Sequence, residues 1–232
     1  MNAVSCQQKA RSHAPSAGQV PKDLAAFITS AAFPCVGAKA ALAQHLLHAF
    51  EAGDITCPSH DAALREALID FAAQPESDAP SSFACLFQPN APPLSEAQFE
   101  SALWRRLQAL HDLDAAAGVA WADGVSNDPA SAHFSMSVGG AAYFIVGLHP
   151  SASRAARRFA RPALIFNPHE QFRRLRADGR YGQLQRIVRE RETRLHGGIN
   201  PMLADFGDGL EAQQYSGRRV GGAWKCPFRL KT

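Results

Sequence analysis

HFSMSVGGAAYFIVGL, residues 133–148, decides the fold. His133–Val138 alternates polar and apolar side chains, Gly139-Gly140 follows, and Ala141–Leu148 is strongly apolar. A period of two places successive side chains on opposite faces of a strand. A glycine pair supplies the positive φ angles of a tight two-residue turn. The stretch therefore predicts a β-hairpin.

Working outward, Ser82–Gln88 is a short apolar run halted by Pro89, which suits a buried strand, and Ala163–Phe166 is another. Helical spacing covers Pro34–Phe50 and Asp61–Ala73, the latter with Leu64, Leu68 and Phe71 on one face. Ser95 opens a helix striped by Phe99, Leu103, Leu107 and Leu110, with Trp104 beside them. Ser151–Phe159 reads as a short helix, and His169–Ala177 and Tyr181–Arg194 as two more. Gln74–Ser82 and the Gly- and Pro-rich stretch from Gly197 onward read as irregular. Strands and helices mix without regular βαβ alternation. The expected fold is α+β, a mostly antiparallel sheet packed with helices in a single domain over residues 21–232, with residues 1–20 a loose tail.

Composition narrows the function. The 232 residues are 46% hydrophobic and 19% charged, with a net charge of +3. That is ordinary globular composition, and the charge does not point to nucleic acid. Lysine is scarce, while arginines crowd Arg154 to Arg194. Clustered guanidinium groups suit carboxylates and other planar anions. Five separated cysteines form no CxxC pair, so neither a zinc site nor a redox dithiol is suggested. No apolar run is long enough for a bilayer, and residues 1–20 lack a secretory apolar core. The expected location is the cytoplasm, with free thiols and no membrane contact.

No GxSxG, Walker, HExxH or GxGxxG pattern is present. Four places carry chemistry instead. Cys35, in Phe33-Pro34-Cys35, sits where a helix begins, so the helix dipole would favour its thiolate, a ligand for iron. His149 ends the apolar strand, and Arg154, Arg157 and Arg158 follow it closely. This combination suits a metal-ligating imidazole near groups that pair with carboxylates such as haem propionates. His111 is followed three residues on by Asp114, a carboxylate able to orient the ring. His169, in Asn167-Pro168-His169-Glu170, stands between a strand and a helix as a ligand or substrate contact. Each also has a plainer reading: an inert buried thiol, a capping histidine, solvated arginines, or a surface helix pair. The irregular segments Gly197–Leu203 and Gln214–Arg218 are candidate site-lining loops.

In combination, FPCVGAKAAL at 33–42, WRRLQALHDLD at 104–114, VSNDPASAHFSMSVGGAAYFIVGLHP at 125–150, SRAARRFARPALIFNPHEQF at 153–172, INPMLADFG at 199–207, QQYSGRRV at 213–220 and WKCPF at 224–228 resemble the YqcI/YcgG family. The likeness is closest to its haem-dependent N-hydroxylase subgroup of the guanitoxin-biosynthesis type. The resemblance implies one haem b, held without covalent attachment because no CxxCH motif is present. It implies an oxygenase acting with dioxygen on a guanidine or amine nitrogen of a small amino-acid-like substrate. It does not imply which residue holds the iron. On local chemistry His149 ranks first as the metal ligand, with His111 and Cys35 as rivals and Arg154, Arg157 and Arg158 as propionate partners. Asp114, Asp128 and Glu170 are the nearest carboxylates for a cationic substrate, and His169 is a further substrate contact. A haem-binding or sensing protein without turnover and a non-haem small-molecule binder are the alternatives. A homo-oligomer is compatible with all three.

Overall fold

Gly139 and Gly140 close the expected hairpin, with φ angles of 59° and 78°. They join β4 (Met136–Val138) to β5 (Ala141–Leu148), and Met136 lies opposite Tyr143. The structure, a computed structural model, describes residues 16–75, 77–198 and 205–231. The other strands are β1 (Ser16–Gly18), β2 (Leu47–Glu51), β3 (Ser82–Leu86) and β6 (Ala163–Pro168). They form a six-stranded sheet ordered β1-β2-β3-β6-β5-β4. Every neighbouring pair is antiparallel except β2–β3. The helices are α1 (Lys22–Thr29), α2 (Val36–Ala43), α3 (Asp61–Ala72), α4 (Glu96–Ala116), α5 (His169–Ala177) and α6 (Tyr181–His196). The chain is thus a single α+β domain with a mixed, mostly antiparallel sheet.

Three expectations need correction. The helical pattern of Pro34–Phe50 divides: α2 ends at Ala43, His45 turns the chain at a φ of 58°, and Leu47–Glu51 is a strand. A short apolar run flanking a helix carries both periods, and pairing with β3 decides it. Ser151–Phe159 is an irregular segment with one 3-10 turn at Ala155–Arg157, because its backbone bonds back to the end of β5: the Ala152 N–H donates to the His149 carbonyl at 3.2 Å and the His149 N–H to the Arg157 carbonyl at 3.0 Å. Of the expected tail, residues 1–15 lie outside the described residues, whereas Ser16–Gly18 pairs with β2.

Both faces of the sheet are covered, which is why its strands read as almost unbroken apolar runs. Phe83, Cys85, Tyr143, Ile145, Leu164 and Phe166 face α3 and α4 and form the larger core. Ala49, Ala84, Leu86, Leu148 and Ala163 face the other way, toward α1 and α2. Helix α4 starts at a capping box: the Gln98 N–H donates to Ser95 Oγ at 3.3 Å, and the Ser95 N–H donates to Gln98 Oε1 at 2.9 Å. Glu100 on this helix anchors the C-terminal segment, accepting from Arg218 Nε at 2.8 Å and from Trp224 Nε1 at 3.2 Å.

Gly147 is the tightest point of the larger core. A Cβ there would lie 2.7 Å from Phe99 Cε1, 2.9 Å from the Tyr215 carbonyl oxygen and 3.0 Å from Leu103 Cδ1. Gly147→Ala should therefore destabilise the fold by roughly 1–3 kcal/mol, the usual cost of overpacking. Urea denaturation checks this, and an unchanged midpoint would show that the sheet and α4 separate freely.

Candidate functional site

Strand alternation sends Phe144, Val146 and Leu148 away from α4. Together with Ile165 and Asn167 of β6 they floor a cavity of about 340 Å³. Leu24, Phe27 and Ile28 of α1 form one wall, Cys35 and Ala38 at the start of α2 another. Leu184 and Val188 of α6, Phe172 of α5 and Phe206 add to the apolar lining. The volume lies at the small end of the range for ligand pockets, roughly 300–1,000 Å³. A few charged groups, Arg157, Arg176, Arg189, Glu192, Asp205 and Glu211, punctuate it. Among the described residues a second concavity of about 450 Å³ is lined by α6.

Cys35 is the N-cap of α2, and its Sγ accepts from the Ala38 N–H at 3.4 Å. It is a free thiol that keeps some accessible surface, because what it faces is the cavity. Burial raises its pKa, outweighing the opposite pull of the Ala38 and Gly37 N–H groups and of Lys39. The expected resting thiolate is corrected accordingly: the dipole acts, but desolvation is larger. Cys85 and Cys226 are free and buried, while Cys57 is disulfide-bonded, which corrects the expectation of free thiols throughout.

His169, first residue of α5, also lines the cavity. Its Nε2 lies 3.3 Å from Glu211 Oε2, and both side chains are buried. Glu211 Oε1 accepts from the Tyr215 hydroxyl at 2.7 Å and from the Ser135 hydroxyl at 2.8 Å.

The remaining sequence candidates lie elsewhere. His149 shares its face of β5 with Tyr143, Ile145 and Gly147, so it points toward α4. There it stacks on Phe99, with ring centroids 4.2 Å apart and planes inclined by 20°. Its Nδ1 is buried and has no partner among the described residues. His111 is a residue of α4 itself; its ring lies against Trp121 and Phe228, and its Nε2 accepts the Lys231 N–H at 2.9 Å. Asp114 does not orient it; that carboxylate accepts from Arg65 Nε at 2.7 Å and from the Gly139 N–H at 2.8 Å. His111 and Asp114 border a separate pocket of about 170 Å³.

The three arginines after β5 are spent internally. Arg154 grips Glu192 Oε1 through Nε at 3.1 Å and Nη2 at 2.8 Å. Arg157 is buried and donates to the carbonyls of Gly147, Gln214 and Tyr215 at 3.1–3.2 Å. Arg158 donates to the carbonyls of Ala152 and Ser153. At the cavity, Arg189 pairs with Asp205 at 3.5 Å, and Arg176 lies 4.3 Å from the Tyr181 ring centroid. Asp128 caps the Ala130 N–H in an exposed loop, and Glu170 pairs with Arg173 at the surface. Sequence reading missed Glu192, Asp205 and Glu211. For Glu211 the signal was its spacing of four residues before Tyr215, which brings carboxylate and hydroxyl together. Of the irregular segments singled out, Gln214 does line the cavity, while residues 199–203 lie outside the described residues.

Burial pushes the His149 pKa down from 6.5 to about 4. The unfolded chain then takes up a proton before the native one does, so stability is held above about pH 6.5 and lost on acidification toward pH 4. At 1.36 kcal/mol per pKa unit the loss is on the order of 3 kcal/mol. Comparing urea midpoints at pH 7 and pH 4.5, His149→Phe should lose much less than the unsubstituted protein, and equal losses would refute this assignment.

Among the described residues no helix is long and apolar enough to cross a membrane. No curated protein and no solved structure matches the chain. A family model does match it, over residues 24–229, a span that includes every wall of the cavity and both C-terminal anchors. The chain belongs to the YqcI/YcgG family.

Proposed function

We propose that the protein is a haem-dependent oxygenase that hydroxylates a guanidine or amine nitrogen of a small amino-acid-like substrate, with Cys35 as the residue that would hold the iron. The observation that carries this reading is the cavity itself: an apolar space with a thiol capping a helix on one wall and a buried histidine–glutamate pair on another. His149 ranked first on sequence, but it faces α4, whereas Cys35 and His169 border the cavity.

The chemistry of the lining supports the haem reading. The floor of Phe144, Val146 and Ile165 and the flanking Phe27 and Val188 offer apolar surface to a macrocycle. Arg176 and Arg189 line the cavity and would pair with propionates by exchanging their present contacts, the Tyr181 ring and Asp205, whereas Arg154, Arg157 and Arg158 are held by internal acceptors. A raised thiol pKa does not exclude Cys35, because metal coordination deprotonates a thiol outright. The Ala38 N–H is in place to donate to the resulting sulfur charge. Haem, when bound, supplies the activation of dioxygen; the protein supplies ligand, orientation and dryness. Glu192, whose Oε2 is buried without a partner among the described residues, is the cavity carboxylate that would meet a cationic substrate, in place of Asp114, Asp128 and Glu170.

Protein expressed with a haem precursor should show the Soret band of a thiolate-ligated haem in its ferrous–CO spectrum. Cys35→Ser should lose that band, while His149→Ala and His111→Ala should retain it. Colourless protein would remove the haem reading, and a histidine-type spectrum unchanged in Cys35→Ser would remove Cys35. Product formed from guanidine compounds with dioxygen and a reductant separates turnover from haem sensing.

A further inference from the structure

We propose that His169 and Glu211 form a proton-accepting dyad at the cavity wall, in which His169 takes a proton from an N–H group of the bound ligand and Glu211 positions the ring. The proposal deepens the reading above and rests on it for one point, that the ligand of this cavity carries a reacting nitrogen.

Glu211 is 4% exposed and His169 5%, so neither can leave its polar atoms to bulk water. Glu211 Oε1 accepts from two hydroxyl groups, of Ser135 and Tyr215, and the Tyr215 oxygen in turn accepts the Met136 N–H at 3.0 Å. Oε2 remains for the imidazole at 3.3 Å. A carboxylate has no proton to give, so the hydrogen in this contact belongs to Nε2. The neutral ring then carries its lone pair on Nδ1. Phe206, 4.4 Å away between ring centroids, and Phe172 flank the imidazole with apolar surface. Such surroundings strengthen the carboxylate–imidazolium attraction once the ring is charged.

The other charged groups near this wall each hold a contact of their own. Arg157 donates to carbonyls, Glu192 holds Arg154, Arg189 holds Asp205, and Arg176 covers Tyr181. On α5 itself, Glu170 and Arg173 pair at the surface. His169 is thus the group on the lining that combines a basic lone pair with a carboxylate able to stabilise its cation. The step balances simply. The ligand N–H bond breaks and its electron pair stays on nitrogen. The proton moves to Nδ1, and the imidazolium formed lies against Glu211. No oxidant or reductant is consumed. Freeing that pair is what a protonated nitrogen needs before it can accept oxygen.

The test uses full-length protein in which histidine is labelled with ¹⁵N, with and without haem. In the haem-free protein, nitrogen shifts should show His169 as the Nε2–H tautomer. Glu211→Ala should abolish the tautomer preference, because the acceptor of the Nε2–H is then gone. Butylammonium serves as the probe; its affinity should fall on acidification, by at most about tenfold per pH unit, as one linked proton requires. That dependence should vanish in His169→Asn. An Nδ1–H tautomer in the unsubstituted protein, or a probe affinity unchanged on acidification, overturns the proposal. The tautomer is read without any variant, so a substitution that fails to fold leaves the test intact. Absence of haem with the expected tautomer and pH dependence would instead count against the oxygenase reading alone.

Discussion

A guanidinium group buried away from water is tolerable only if its donors find acceptors, and Arg157 meets that condition with backbone carbonyls. Those carbonyls belong to the end of β5 and to Gln214-Tyr215, near the C-terminus. Burial still lowers its pKa to about 10, which leaves it charged at neutral pH, and the nearby negative charge of Glu192 works against that lowering. A hydrogen bond to a charged group contributes about 1.5–3 kcal/mol, more than a neutral one. The same residue's carbonyl accepts the His149 N–H, so the strand end, the 3-10 turn and the C-terminal segment meet at one side chain. Glu211, Tyr215 and the cavity lining depend on that junction for their positions.

Parity does the rest of the sorting. From Tyr143 to His149 every second residue faces α4, and those between face the cavity. One strand therefore serves a packed core and a ligand site at once. Gly147 has no side chain because Phe99, Leu103 and the Tyr215 carbonyl occupy its place. His149 takes the next position on that side and gives up its charge to burial, as its depressed pKa records. The arrangement explains how a histidine amid an attractive local pattern becomes part of the core.

Much of the fold was legible in the sequence because period and punctuation agree: Ser95 with Gln98 starts α4, and Gly139-Gly140 turns β4 into β5. Leu47–Glu51 was hidden by its proximity to a helix, since only a distant partner strand reveals it. For the site, parity alone separated His149 from Phe144, Val146 and Leu148, but it could not say which face holds a cavity. That depends on α1 and α6, far apart in sequence. Cys35 and His169 were legible as residues at element boundaries, where backbone geometry aims a side chain. The roles of Arg154 and Arg157 were not, because a guanidinium that binds a ligand and one that binds a carbonyl look alike in sequence.

Helix α6 gives this architecture an unusual economy. Among its described side chains only Glu192 is fully buried, and its apolar Leu184 and Val188 look onto the cavity instead of interlocking with a solid layer. Occupancy of the cavity is therefore also a question of cohesion. A molecule seated there becomes the missing stratum between sheet and helix, and the dispersion contacts it makes add to the docking of α6. Affinity for the guest and order in the roof are two readings of one free energy, by simple mass action.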